Sequence, residues 1–131
     1  MNYGITTTLD RPFDQTLAAV RDALSEQGFG ILTEIDMAGT LKKKLDVDVA
    51  PQVILGACNP PLAYRALQAE TSIGLLLPCN VVVRAAGENR TTVEALDPQV
   101  MVGITRNDAL APVAEDAAQR LRAALAALAA S

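Results

Sequence analysis

Two cysteines are the residues of this sequence best suited to chemistry. They lie in two short motifs that share flanking asparagine and proline residues, Cys58-Asn59-Pro60-Pro61 and Pro78-Cys79-Asn80. Cys58 ends one predicted strand and Cys79 lies near the start of the next, with a short predicted helix between them. If these strands are antiparallel neighbours, both thiols lie at the same end of a sheet. That layout permits a disulfide without requiring one.

The two motifs have a functional and a structural interpretation. Asn59 and Pro60 place Cys58 just before a predicted helix, where the helix dipole and free amides stabilise a thiolate. The candidate ligand or redox site therefore consists of Cys58, Asn59, Cys79 and Asn80. The alternative is that both cysteines are small buried hydrophobes. The chain contains no histidine, the usual partner of a catalytic thiol.

Other ligand sites have less support. Two thiolates without an imidazole cannot complete a tetrahedral zinc site within one chain, so we predict no metal site. The sequence specifies no cofactor. Lys42 and Lys44, in the turn Lys42-Lys43-Lys44, are candidate anion ligands because Thr40 and a short helix N-terminus would add donors. The alternative is a solvated helix face.

Composition narrows the class of protein. The chain has 131 residues, which suits a single domain spanning residues 1–131. Half of the residues are hydrophobic, but there is no tryptophan, so the core must be aliphatic. A net charge of −4 argues against nucleic-acid binding. We expect no signal peptide and no membrane span, and therefore a cytoplasmic protein with reduced thiols.

The first helix has the strongest pattern in the sequence. Phe13, Leu17, Val20 and Leu24 recur at helical spacing. Asp10 is the predicted N-cap, with Pro12 in the first turn. At the other end, Gly28 suits a left-handed residue and Phe29 would contact Leu24, as in a Schellman motif.

The remaining pattern predicts short strands and helices. Expected strands are 3–9, 30–36, 53–57, 75–85 and 91–96, with Pro78 at a bulge or an edge of the fourth. Short helices are expected at 41–45 and, capped by Asn59, at 60–68, burying Leu62 and Ala66. A long final helix would follow a cap at Asp108. The order β-α-β-(short α)-β-α-β-β-α predicts an α+β fold with a mainly antiparallel sheet covered on one face by two long helices.

The sequence resembles the DUF302 family, a domain of unknown function. Two stretches in each half carry the resemblance: GFGILTEID at 28–36 with TLKKKL at 40–45, and ILGACNP at 54–60 with IGLLLPCNVVV at 73–83. The resemblance implies a TATA-binding-protein-like or helix-grip α+β fold in a small protein that forms homodimers. It implies no established activity.

Three functional hypotheses follow. The first is a homodimeric binding module, paired through the sheet or the final helix, with a small-molecule or sulfur-species site at the two cysteine motifs. The second is a thiol-dependent redox or sulfur-transfer enzyme. The third is a protein-interaction domain that uses the open face of the sheet.

Overall fold

The computed structural model describes residues 2–131, which form five strands and five α-helices. Two short 3₁₀ turns, Thr71–Leu76 and Asp108–Leu110, lie between them. In chain order the elements are β1 (Gly4–Leu9), α1 (Phe13–Glu26), β2 (Gly30–Asp36), α2 (Met37–Leu45), β3 (Gln52–Cys58), α3 (Pro60–Ala69), β4 (Cys79–Gly87), β5 (Arg90–Leu96), α4 (Gln99–Thr105) and α5 (Ala111–Ala130).

All five strands pair antiparallel in the order β1-β5-β4-β3-β2. Helix α1 therefore connects the two edge strands, and α5 packs beside it. Their apolar faces meet the inward-facing side chains of β3, β4 and β5 in an aliphatic core. This confirms the α+β fold and the cover of two long helices that the sequence predicts.

The end of α1 follows the predicted Schellman motif. Gly28 has a φ of 84°, its N–H donates to the Ser25 carbonyl, and the Phe29 N–H donates to the Leu24 carbonyl. The predicted start is wrong. Helix α1 begins at Phe13 and the residue before it is Pro12, so Asp10 lies too far upstream to cap the first turn.

The predicted strand at 75–85 is wrong in its first residues. Thr71–Leu76 form a 3₁₀ turn, and β4 begins at Cys79. The turn buries Ile73 completely in a second apolar cluster while Leu75 remains 87% exposed. Pro78 lies just before the strand, outside the hydrogen-bond ladder that it could not join.

Two other predictions about helices need correction, and one helix was missed. Helix α2 begins at Met37 rather than Leu41, because the Asp36 side chain accepts a hydrogen bond from the Gly39 N–H. Helix α4 was not predicted. Asp108 does not cap the last helix; Asn107 caps a 3₁₀ turn there, and α5 begins at Ala111.

The sheet face opposite α1 and α5 has an apolar half. Ile35, Ile54 and Val82 occupy one row across β2, β3 and β4, and Ile35 is 44% exposed. The row continues into the polar half at Glu94, which accepts hydrogen bonds from Thr6 and Arg84. A homodimer through this face stays a prediction.

No helix within residues 2–131 has both the length and the apolar character that crossing a membrane requires.

Candidate functional site

A cavity of about 170 Å³ lies where the ends of β3 and β4 meet α3 and α5. Its walls are almost entirely apolar. Leu62 and Ala66 of α3 face Val113 and Ala117 of α5 across it, and Met101 of α4 contributes a further wall. Cys58, Asn59 and Cys79 line the end nearest the sheet. Both cysteine motifs therefore contribute to one cavity.

Strand pairing brings the two cysteines together. Ala57 of β3 lies directly opposite Cys79 of β4, so Cys58 is one residue beyond that pair. Cys79 is 7% exposed and Cys58 is half-buried, and both thiols are free. The predicted placement of both cysteines at one sheet end is therefore what the structure shows.

The two thiols differ in environment. Burial raises the pKa of the Cys79 thiol to about 11, with a smaller contribution from the negative charge that Cys58 carries when ionised. A thiol with this pKa is neutral near pH 7. Cys79 is therefore an uncharged part of the cavity wall rather than a ready nucleophile.

The raised pKa predicts an alkaline loss of stability. Because the pKa of Cys79 is higher in the folded protein than in the unfolded chain, the neutral thiol favours folding by about 3 kcal/mol below pH 9. That contribution disappears as the pH rises from 9 to 11. Chemical denaturation across this range should show a steeper decline for the wild type than for Cys79→Ala. Parallel declines would contradict the assignment.

Asn59 both lines the cavity and caps α3. Its Oδ1 accepts a hydrogen bond of 3.2 Å from the Leu62 N–H, which confirms the predicted N-cap. The amides expected to stabilise a Cys58 thiolate are not free. Pro60 and Pro61 have no N–H, and the Leu62 and Ala63 N–H groups already donate to Asn59. The helix dipole remains to stabilise a thiolate.

Asn80 lies away from the other predicted site residues. It alternates with the buried Cys79 and Val81 along β4, so its side chain is exposed on the opposite face of the sheet. There it borders a separate depression with Tyr3 and Glu94. The structure thus brings together Cys58, Asn59 and Cys79 without Asn80.

Lys42 and Lys44 are far from the helix end that would bind an anion. Both lie in the last turn of α2 and are exposed, because the helix starts at Met37. Lys42 forms ion pairs of 3.0 Å with Asp46 and 3.3 Å with Asp48. The structure therefore favours the alternative, a solvated helix face.

Several cavity residues were not predicted from the sequence. Val113 and Ala117 follow the helical spacing that marks the buried face of α5. Their burial was therefore predictable, but their position at the wall of a cavity was not. Met101 belongs to the unpredicted α4 and gave no signal. Within residues 2–131, no three His, Cys, Asp or Glu side chains are grouped closely enough to hold a metal ion.

The fold and the site define a class: an α+β protein with a small apolar cavity beside two cysteines at one end of the sheet. The chain belongs to the family described as domain of unknown function DUF302, whose model matches residues 5–128. It is similar to an uncharacterized conserved DUF302 protein from Bacillus stearothermophilus. That crystal structure shares 29% identity and a TM-score of 0.85, over 99% of this chain and 98% of the other. Among curated proteins, a search found no match.

Proposed function

We propose that this protein is a binding module for a small molecule whose apolar body occupies the cavity between α3 and α5. The observation that supports this most directly is the cavity itself, about 170 Å³ with apolar walls. The cavity opens to solvent on one side, where the exposed Leu32 lines it, so water contacts its apolar walls. A ligand would remove that apolar surface from water.

The cavity volume indicates how large the apolar body is. An engineered cavity of about 150 Å³ in another protein stays dry and binds benzene or xenon. The present cavity is slightly larger. It therefore suits a single six-membered ring or a short branched chain.

The lining favours an uncharged group in the interior. An ionised group there would lose its hydration without gaining a charged partner. A hydrosulfide or persulfide anion is therefore a poor occupant of the inner cavity, while a neutral sulfur compound fits it. The thiols of Cys58 and Cys79 add polarisable surface at one end.

The environments of the two cysteines give less support to the alternative function, a thiol-dependent enzyme. Cys79 is buried with a raised pKa, and the first amides of α3 are absent or already bonded. Cys58 is the remaining candidate nucleophile, because it is half-buried at the cavity wall. A protein-interaction role and a homodimer remain proposals beside the binding function.

Titration with benzene tests the proposed function. In ¹⁵N-labelled protein, we expect saturable shifts of the Ala66 and Ala117 amides. Ala63→Leu adds a side chain to the cavity wall and should weaken benzene binding about tenfold or more. Ala126→Leu makes the same change on the exposed face of α5 and should leave binding unchanged.

Two results would contradict the proposal. One is the absence of saturable shifts around the cavity at benzene concentrations that approach its solubility. The other is equal binding by the wild type and a folded Ala63→Leu variant, which would place the benzene elsewhere.

A further inference from the structure

Three sulfur-containing side chains border the apolar cavity. The chain contains two cysteines and three methionines. Both cysteines, Cys58 and Cys79, and one of the methionines, Met101, line this one cavity. The proposed binding of an apolar molecule uses these side chains as wall and makes no use of their sulfur chemistry. Thiolate and thioether sulfurs are soft metal ligands, so their grouping here indicates a second capacity of the same space.

The sheet brings the three side chains to one of its ends. Strand β3 ends at Cys58, and the neighbouring strand β4 begins at Cys79. On its other side β4 pairs with β5, where Val81 lies opposite Ala95, so β5 ends beside Cys79 and α4 begins there. Met101 lies in the first turn of α4 and is 3% exposed. The ends of three neighbouring strands therefore position the three side chains around one cavity.

The kinds of ligand atom select the metal. Zn²⁺ requires four ligands, and this chain has no histidine to add to the sulfurs. Mg²⁺ and Ca²⁺ prefer several oxygen ligands, which the almost entirely apolar walls do not supply. Cysteine and methionine sulfurs favour Cu(I), a soft ion that is stable with fewer ligands than Zn²⁺. The lack of a fourth ligand therefore excludes a structural zinc site but suits Cu(I).

The charge of a Cu(I) complex also suits the cavity. An ion there needs a partner of opposite charge, because the walls offer little else to replace its hydration. When Cu(I) displaces the proton of the Cys58 thiol, the resulting thiolate is that partner. A Cu(I) ion with one thiolate and the Met101 thioether has no net charge. Cys79, which burial keeps as a neutral thiol, offers a further sulfur without adding a charge.

We propose that this cavity binds one Cu(I) ion through the sulfurs of Cys58, Cys79 and Met101. Binding exchanges the Cys58 thiol proton for the metal ion, and the proton leaves to solvent. The oxidation states of copper and sulfur do not change. This site goes beyond the proposed binding of an apolar molecule, because it depends on the sulfur atoms rather than on the apolar volume.

Anaerobic titration of the full chain with Cu(I), in competition with a chromogenic Cu(I) chelator, tests the site. We expect one Cu(I) per chain, and X-ray absorption should show sulfur alone in the first coordination shell. Cys58→Ser replaces a soft sulfur with a hard oxygen and should weaken Cu(I) binding about a hundredfold or more. Met101→Leu nearly conserves the volume but removes the thioether, and it should weaken binding about tenfold.

Met37→Leu is the matched control, because Met37 lies on α2 and borders a different depression. It should leave the Cu(I) affinity unchanged. Equal Cu(I) affinity in the wild type and a folded Met101→Leu variant would overturn the three-sulfur site, and so would nitrogen or oxygen in the first shell. Benzene titration separates the two proposals. Benzene binding without Cu(I) binding overturns the metal site alone, whereas Cu(I) binding without benzene binding overturns the proposed function alone.

Discussion

Gly56→Ala is expected to destabilise the protein by about 2–3 kcal/mol and to weaken ligand binding. A Cβ at this position in β3 would overlap the Thr33 hydroxyl and lie 2.8 Å from Pro78 Cγ. Neither neighbour can move freely. Thr33 belongs to the paired strand β2, and the Pro78 ring is part of the backbone that leads into β4.

The effect on binding follows from the position of Pro78, which lines the cavity next to Cys79. A Cβ on Gly56 can be accommodated only if Pro78 or β2 shifts. We therefore expect a lower midpoint in chemical denaturation together with weaker benzene binding. Gly74→Ala is the matched control, because nothing lies within 4 Å of a Cβ there. Equal midpoints for the two variants would show that the close approach at Gly56 is unimportant.

Leu121→Ala is expected to cost about 3 kcal/mol of unfolding free energy. Leu121 lies on α5, is completely buried and belongs to the core between the helices and the sheet. Its removal loses the transfer free energy of the side chain and leaves a new void. Urea denaturation should show a large decrease in midpoint with little change in slope.

Leu75→Ala makes the same substitution at a side chain that is 87% exposed, so its midpoint should stay close to that of the wild type. This pair of variants compares one chemical change in two environments. Similar losses at both positions would mean that Leu121 is not part of the core.

The parts of the fold that were predictable depend on local patterns. Helix α1 and its Schellman end follow from the spacing of apolar residues and from Gly28, and the alternation in 30–36 identifies β2. The 3₁₀ turn at 71–76 was missed because its apolar run resembles a buried strand. Only packing of Ile73 into the second apolar cluster distinguishes them. Tertiary contacts therefore determine the conformation of that segment.

The candidate site was predictable in part for the same reason. Two strand-end motifs in antiparallel neighbours place Cys58 and Cys79 together, and the N-cap places Asn59 beside them. Asn80 was wrongly grouped with them spatially, because a shift of one residue along a strand moves a side chain to the other face. The cavity could not be predicted, since it depends on how α4 and α5 pack against α3.

The cavity beside the two cysteine motifs should bind apolar molecules. Crystals of the full chain exposed to xenon under pressure test it most directly, because xenon enters apolar cavities of this size. We predict a xenon atom in van der Waals contact with Ala66, Met101 and Ala117. Ordered water filling the same space, hydrogen-bonded to Asn59 and unmoved by xenon, would contradict the account.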